Sequence, residues 1–506
     1  MKHLKKIVSL LLTAVMVLAM CIPVMADNAA TATTYAIKAP ATNHVYKIYQ
    51  IFTGDLREGV LSNIKWGANG KGTQGAMVDE TTLNALAAVN GKSDRKILDV
   101  VETYADLTKA QVSVVTQGQT YNAVPGYYLI KDDEDVEGID SYTTYIVKVV
   151  GNVTITPKSD VPDFVKKIKD TNDTTGATSD WQDSADYDIG DKVPFKLEGT
   201  VAPNYDDYKT YYFAFHDIEE NGLTFDRSSV KVYVENANGI TEITGETSLY
   251  TVEYTENAKL EDGCTFEVVF NNLKDIDSVK AGSKIRVEYT SELNDKAVLG
   301  NQGNVNKAQL KFSNNPNSNQ VGKPDKPGET PWDNVIVFTY QVVVNKYANS
   351  VSDANKLTGA EFTLSKKLKD NTTKDIAVVK STDGTSFTFK GLDDGDYILT
   401  ETTTPDKYNT IDPITFTVTA EHNIIWETEE RTDILTELNG NAASGKIRFT
   451  ATKNDGKLET DVINKSGSTL PETGGIGTTI FYVVGVILML GAGVLLVTKK
   501  RMSSNR

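Results

Sequence analysis

The last third of the chain contains short alternating segments that place reactive side chains among apolar residues. Lys346 follows two valines at every second position, and Glu401 follows a tyrosine and a leucine in the same way. Asn464 ends the segment 461–464, on the face opposite Ile463. Because side chains alternate between the two faces of a strand, this pattern predicts that Lys346 and Glu401 point into the interior of a domain.

A buried lysine, a carboxyl group and an asparagine amide can react with one another. Burial lowers the pKa of a lysine and raises that of a glutamate, which favours the neutral form of both. A neutral Lys346 amine could attack the side-chain carbonyl of Asn464 while Glu401 moves protons and ammonia leaves, without any cofactor. The alternative is an ordinary ion pair or a set of surface residues.

A second chemical signal lies at the C-terminal end of the chain. The residues are Leu470, Pro471, Glu472, Thr473 and Gly474, followed by an apolar run and a basic tail. Proline favours extended backbone around it, and a protease-like cleft can bind an extended strand. The apolar run is long enough to cross a bilayer as a helix, with the basic residues in the cytoplasm. A plain membrane anchor is the alternative interpretation.

These parts, in this order, resemble the cell-wall sorting signal of Gram-positive surface proteins, here over 470–506. The resemblance implies that a sortase cleaves between Thr473 and Gly474 and transfers the Thr473 carbonyl to an amine. At the other end, three lysines precede an apolar run and small residues up to Ala26, which predicts a secretory signal peptide over 1–26. The mature chain is therefore expected outside the cytoplasm.

The composition limits the other possible functions. A formal net charge of −16 argues against nucleic-acid binding. Cys264 is the single cysteine left after removal of the signal peptide, so no internal disulfide is expected, and its place beside a strand suggests a small core residue. His44, His216 and His422 are scattered, and the acidic clusters lack the spacing of a calcium loop. No metal site and no cofactor are predicted.

Segments rich in β-branched and aromatic residues alternate with Asn, Asp and Gly turns, and one helical stretch lies near 80–107. This pattern predicts an all-β chain of tandem immunoglobulin-like sandwich domains. The expected strands include 45–52, 61–67, 124–130, 142–150, 230–234, 265–270, 284–289 and 396–401. The predicted units are an N-terminal domain (27–156), a middle domain (160–316), a linker (317–334) and a C-terminal domain (335–465).

The segment 397–408 resembles the E-box of Cna B-type domains in Gram-positive pilins, except that Lys407 replaces the glycine that usually precedes the last tyrosine. The resemblance implies a bond between Lys346 and Asn464, with Glu401 as the catalyst.

The middle domain offers a related donor. Lys166 alternates with a phenylalanine and an isoleucine, so it is the expected inward-facing lysine. Lys167 and Lys169 compete with Lys166 if the register slips by one residue.

The remaining members of the middle set come from the same resemblance. The segment 213–217 resembles the strand of the family that supplies a catalytic aspartate, here Asp217. The segment 310–316 resembles the closing strand that supplies the asparagine, which implies Asn314, with Asn315 as the second choice.

The N-terminal domain lacks a convincing set. Lys38 and Asp132 could be two members, but Asn152 is poorly placed as an acceptor. At the end of this domain, Lys158 follows a proline and resembles the lysine of the pilin motif, although a threonine and a serine replace the tyrosine and asparagine around it.

The hypothesis is a secreted, wall-anchored backbone subunit of a Gram-positive pilus, joined through Thr473 to Lys158 of the next copy in an open filament. The expected partners are a pilus sortase, other copies of the chain, accessory pilins, peptidoglycan and host surface ligands. The chain is not predicted to be an enzyme. The alternatives are a monomeric wall-anchored adhesin or accessory pilin, and a wall-anchored hydrolase, for which no carboxylate pair or Ser/His site is found.

Overall fold

A computed structural model describes residues 33–42, 44–89, 92, 94–133, 142–156, 161–423 and 434–467. Within these ranges the chain forms thirty strands, two α-helices and five short 3-10 helices, and the strands are arranged in six sheets. The all-β fold is therefore confirmed, and each strand expected from the sequence overlaps an observed one. The predicted signal peptide, Lys158 and the predicted sorting segment 470–506 lie outside the described residues.

The N-terminal domain contains two sheets and both helices. Its strands are β1 (Tyr35–Lys38), β2 (Val45–Arg57), β3 (Val60–Trp66), β4 (Ser113–Thr116), β5 (Thr120–Ala123), β6 (Gly126–Asp132), β7 (Thr144–Val149) and β8 (Val153–Thr154). One sheet has the order β5-β1-β8, and the other has the order β3-β2-β6-β7 with β4 beside β2.

The single helical stretch expected near 80–107 is in fact two short helices, α1 (Glu80–Ala88) and α2 (Asp94–Glu102). Asp79 caps α1, because its carboxylate accepts a hydrogen bond from the Thr82 amide at 2.8 Å.

The middle domain is a sandwich of a seven-stranded and a five-stranded sheet. Its strands are β9 (Asp163–Ile168), β10 (Ser184–Asp186), β11 (Lys192–Thr200), β12 (Phe213–Glu219), β13 (Leu223–Asn236), β14 (Gly239–Glu242), β15 (Thr251–Tyr254), β16 (Phe266–Phe270), β17 (Lys284–Leu293), β18 (Asn304–Phe312), β19 (Gly328–Glu329) and β20 (Asp333–Phe338). The larger sheet has the order β10-β20-β18-β12-β16-β15 with β19 beside β18, and the smaller has the order β14-β13-β17-β11-β9.

The C-terminal domain is a sandwich of two five-stranded sheets. Its strands are β21 (Tyr340–Ala348), β22 (Glu361–Lys367), β23 (Thr373–Ile376), β24 (Val378–Lys380), β25 (Ser386–Leu392), β26 (Gly395–Thr403), β27 (Ile414–His422), β28 (Leu435–Asn441), β29 (Phe449–Thr452) and β30 (Lys457–Asn464). The sheet orders are β24-β25-β21-β30-β29 and β23-β22-β26-β27-β28. The first and last strands, β21 and β30, are parallel neighbours.

The boundary between the middle and C-terminal domains differs from the prediction. The proline-containing stretch 317–334 was expected as a linker, but β19 and β20 both pair with β18 and so belong to the middle domain. In β20, Val335 and Val337 pack in the middle core, whereas Ile336 and Phe338 pack in the C-terminal core. One strand thus serves two domains through its two faces.

Thr339 is the single residue between β20 and β21, and it is fully buried. Its hydroxyl donates to the Leu392 carbonyl at 3.2 Å, and its own carbonyl accepts from the Gly300 amide at 3.0 Å. The connection between the two domains is therefore held by packing and hydrogen bonds on both sides.

None of the helices in the described ranges is long and apolar enough to cross a membrane. The predicted transmembrane run, 476–497, lies outside those ranges.

Candidate crosslinking sites

Lys346, Glu401 and Asn464 meet in the interior of the C-terminal domain. The Lys346 amine donates a hydrogen bond to Oδ1 of Asn464, and the Asn464 amide nitrogen lies 2.8 and 3.1 Å from the two carboxylate oxygens of Glu401. Lys346 Nζ is 3.4 Å from Glu401 Oε1. All three residues are buried.

The two sheets of the domain position this set. In the β21–β30 pair, Lys346 lies opposite Val462 and Ala348 lies opposite Asn464, so the lysine and asparagine occupy neighbouring strands. Glu401 comes from β26 in the facing sheet, where every second residue up to Glu401 is buried. The inward direction that alternation predicted for Lys346 and Glu401 is the one observed.

The surroundings of Lys346 favour its reactive form. Burial lowers the pKa of the Lys346 amine, and the nearby Glu401 opposes that effect. The ring of Phe362 lies 5.6 Å from the amine. Glu401 Oε1 lies near both the amine and the Asn464 amide nitrogen, so it can receive a proton from the first and deliver one to the second.

The middle domain also buries one lysine. Lys166 is completely buried, whereas Lys167 forms an ion pair with Asp183 at 2.5 Å and Lys169 lies 4.8 Å from the ring of Trp181. The register of β9 therefore selects Lys166 as the inward-facing lysine.

Lys166 contacts the predicted aspartate and an unexpected tyrosine. Its amine lies 2.5 Å from Asp217 Oδ2 and 2.7 Å from the Tyr289 hydroxyl. The Tyr289 hydroxyl donates to Asp217 Oδ2 at 2.8 Å and accepts from the Asn306 amide nitrogen at 2.9 Å. Because both groups contact the same hydroxyl, Lys166 Nζ and the amide nitrogen of Asn306 lie close to each other.

The structure does not bring Asn314 to Lys166, which corrects the predicted acceptor. Asp217 lies directly opposite Ala308 on β18. Asn314 is six residues further along the chain, a distance of about 20 Å in extended backbone. Asn306 lies opposite Glu219 on the buried face, and its Oδ1 is buried without a hydrogen-bond partner. Asn315 follows Asn314 and is further still from Asp217.

The charges of the middle set are shifted toward neutral forms. Burial lowers the pKa of Lys166 and raises the pKa of Asp217, although each group partly offsets the shift of the other. Burial and the neighbouring Asp217 raise the pKa of Glu219 to about 8. A neutral amine is the state that nucleophilic attack on an amide requires.

Sequence reasoning missed both Tyr289 and Asn306. The inward residues of β17 alternate regularly and include Tyr289, so its burial was detectable, but its hydroxyl contact depends on the facing sheet. Asn306 shares a face with Asn314 by alternation, and only the pairing of β18 with β12 separates them.

The N-terminal domain does not assemble its suggested set. Asp132 is buried, lies 2.9 Å from His44 Nδ1 and accepts from the Thr143 amide at 2.6 Å. Lys38 is exposed, and Asn152 instead accepts a hydrogen bond from the Ala36 amide.

Comparisons with known proteins cover the same regions. Residues 341–432 match the SpaA family, described as a prealbumin-like fold domain, and residues 463–504 match the Gram-positive LPXTG cell wall anchor motif. The chain is 26% identical, over an alignment of 450 residues, to the trypsin-resistant surface T6 protein of Streptococcus pyogenes serotype M6. The alignment covers 78% of this chain and 78% of that protein. The chain is similar to Gram-positive major pilins over most of its length.

Two solved structures are also similar to the chain. The T6 backbone pilin of serotype M6 Streptococcus pyogenes has a TM-score of 0.51 and 19% identity, over 87% of this chain and 100% of that chain. The major pilin SpaD of Corynebacterium diphtheriae has a TM-score of 0.46 and 16% identity, over 86% of this chain and 98% of that chain.

The three residues that meet in the C-terminal domain fall in two different matched regions. Lys346 and Glu401 lie within the SpaA-type match, and Asn464 lies at the start of the anchor match. The anchor match also includes Leu470–Gly474, so the chain is a cell-wall-anchored surface protein.

Proposed function

We propose that a sortase polymerises this pilin by cleaving between Thr473 and Gly474 and joining Thr473 to the Lys158 amine of the next copy. The observation that supports a load-bearing role most strongly is the buried set of Lys346, Glu401 and Asn464. It connects the first and last strands of the domain that directly precedes the sorting motif. Accessory pilins, peptidoglycan and host surface ligands remain the expected partners.

In the C-terminal domain we propose a single self-reaction. The neutral Lys346 amine attacks the side-chain carbonyl carbon of Asn464, and Glu401 takes a proton from the amine. Glu401 then gives a proton to the departing amide nitrogen, the carbon–nitrogen bond breaks, and ammonia leaves. The product is a Lys346–Asn464 amide, with no net gain or loss of electrons and no cofactor. The contact between the amine and Asn464 Oδ1 supports this proximity.

In the middle domain we propose the equivalent bond between Lys166 and Asn306, with Asp217 as the proton carrier. Tyr289 supports this assignment because its hydroxyl contacts all three groups. The bond would join β9, at the edge of one sheet, to β18 in the other. It would therefore close the sandwich covalently.

These bonds would change how the subunit responds to tension. The Lys346–Asn464 bond would close a loop of 118 residues. By the chain-entropy treatment of a comparable disulfide loop, it would stabilise the domain by about 4–5 kcal/mol. A pull on the two ends would load the covalent bond before the strand hydrogen bonds between them.

The test of polymerisation uses wall extracts from cells that produce the pilin. Boiling in detergent should leave a ladder of covalent multimers on an immunoblot, and Lys158→Ala should reduce it to single subunits. Lys38→Ala is the matched control, because Lys38 is an exposed lysine of the N-terminal domain. A ladder that persists in Lys158→Ala would contradict the acceptor. Single subunits in the wild type would instead support a monomeric wall-anchored adhesin.

A further inference from the structure

Four potential metal ligands meet on the outer face of the large sheet of the middle domain: His216, Asp262, Cys264 and Glu267. His216 on β12 and Glu267 on β16 are direct cross-strand partners. Asp262 and Cys264 lie in the turn that leads into β16, where Gly263 has a φ of +89°. None of these residues contacts the Lys166 set by a hydrogen bond or ion pair in the described structure.

The distances from His216 Nδ1 to the other three ligand atoms are close to the edges of a small tetrahedron, and the two nitrogen–oxygen distances are a few tenths of an ångström shorter. His216 Nδ1 lies 3.0 Å from Asp262 Oδ2, 3.1 Å from Glu267 Oε1 and 3.6 Å from Cys264 Sγ. All four ligand atoms lie within 4.8 Å of one another. Ordinary zinc bond lengths give tetrahedral edges of about 3.4 Å between nitrogen and oxygen and about 3.6 Å between nitrogen and sulfur.

We propose that His216, Asp262, Cys264 and Glu267 bind one divalent transition-metal ion, with zinc as the best-fitting ion. Imidazole nitrogen, thiolate sulfur and carboxylate oxygen are all ligands that zinc accepts in tetrahedral sites. Binding transfers the Cys264 thiol proton to solvent and forms four metal–ligand bonds.

A protonated His216 held by two carboxylates explains the cluster less well. His216 is completely buried, and its Nε2 atom has no hydrogen-bond partner. A positively charged ring would bury an unpaired charged N–H at that atom, which is costly. Ligation through Nδ1 keeps the ring neutral, and it also accounts for the Cys264 sulfur at 3.6 Å.

The charges around the site also suit a divalent ion. Two carboxylates and a thiolate supply three negative charges. Lys311 lies 3.9 Å from Asp262 Oδ2 but is shared with Glu329 at 3.4 Å, so the ligands keep a net negative charge that a divalent ion would offset. The ion would link the turn between β15 and β16 to β12. This link would stabilise the middle domain independently of the lysine–asparagine bonds.

Cobalt is the first probe, because it reports its ligands through its spectrum. The purified full-length pilin is stripped with a chelator and titrated with cobalt and then with zinc. We expect one ion per chain, a thiolate-to-cobalt charge-transfer band and intense visible bands of tetrahedral cobalt, all displaced by zinc. Melting temperature should rise with bound zinc and fall again on chelation.

Two variants and one control identify the ligands. Cys264→Ser should remove the charge-transfer band, and Glu267→Gln should weaken zinc binding by roughly tenfold or more. Asp173→Asn is the control, because Asp173, Asp188 and Asp191 form a separate acidic group that Lys366 and Lys374 contact. The control should keep both the band and the affinity.

Three outcomes would overturn the site. They are the absence of a thiolate band in the wild type, unchanged binding in both ligand variants, and loss of binding in Asp173→Asn alone. The wild-type spectrum needs no substitution, so misfolding of a variant cannot hide the answer. The covalent ladder should be unaffected by Cys264→Ser, which separates this test from that of polymerisation.

Discussion

Lys166 and Asn306 share the hydroxyl of Tyr289, at 2.7 and 2.9 Å, although they belong to different sheets of the middle domain. The same hydroxyl donates to Asp217. A single tyrosine thus holds an amine, an amide and a carboxyl group together in a buried space.

Asn306→Ala should prevent the middle crosslink. The variant lacks the amide that Lys166 would attack, so its intact mass, corrected for the substitution, should exceed that of the wild type by one ammonia. Asn314→Ala is the matched control and should keep the wild-type deficit, because Asn314 lies beyond the end of β18 and six residues from Ala308, the partner of Asp217. The opposite pattern would restore Asn314 as the acceptor.

Glu401→Gln should stop the crosslink in the C-terminal domain while leaving Lys346 and Asn464 in place. A glutamine cannot carry the proton from the amine to the amide, so the mass should again rise by one ammonia. Denaturant unfolding should show a loss of about 4–5 kcal/mol for the 118-residue loop. Glu421→Gln changes an exposed glutamate of the same domain and should have neither effect. A normal mass deficit in Glu401→Gln would remove Glu401 from the chemistry.

Lys407→Gly should stabilise the C-terminal domain. Lys407 is exposed and has a φ of +73°, a backbone region that costs a side-chain-bearing residue roughly 1–2 kcal/mol. Glycine removes that cost but adds about 0.5–1 kcal/mol of chain entropy, so the net gain should be about 0.5–1 kcal/mol in denaturant unfolding. Asp406→Gly, at an exposed neighbour without a positive φ, should destabilise instead. Equal effects of the two changes would rule out backbone strain at Lys407.

His422 should make the stability of the C-terminal domain depend on pH. Burial lowers the pKa of His422 to about 4, and its Nε2 lies 2.7 Å from the Tyr340 hydroxyl. Between about pH 6.5 and 4, His422 is therefore protonated in the unfolded chain but neutral in the folded chain. The contribution of the neutral His422 to the free energy of unfolding is complete above about pH 6.5. It is lost as the pH falls to about 4, and the loss is at most about 3 kcal/mol.

The measurement compares denaturant unfolding of the wild type with that of His422→Gln across this range. The carboxylates titrate in both proteins, so the difference between the two curves isolates the histidine. A difference that stays constant from pH 7 to 4 would contradict the lowered pKa of His422.

Alternation within single strands explains why much of the candidate chemistry could be predicted. Lys346, Glu401, Lys166 and Asp217 each lie on a strand whose large neighbours fix the inward face, and all four are buried. That information is local, because the side-chain period of two is a property of one strand.

The acceptor of the middle domain needed information that is not local. Asn306 and Asn314 are an even number of residues apart, so alternation predicts that both face inward. Alternation alone cannot decide which of the two is the acceptor. The choice depends on the register in which β18 pairs with β12, a strand about ninety residues earlier in the chain. That register is set by the packing of the whole sandwich.

The metal cluster was hidden for a related reason. His216 and Glu267 lie on the outward-facing positions of two strands, where alternation predicts solvent-exposed side chains. The two residues are also 51 positions apart in the sequence. Cys264, expected as a small core residue, is buried beside His216 but on the outer face of the sheet. Only the pairing of β12 with β16 places these residues side by side.

The shared strand β20 determines where a thread of such subunits can flex. A swivel needs a segment whose backbone angles change freely, but only the buried Thr339 separates the ladder of β20 from that of β21. Turning one domain against the other would pull Ile336 and Phe338 out of one core or Val335 and Val337 out of the other. The middle and C-terminal domains therefore move as one rigid unit, and the flexibility of the filament must come from other connections.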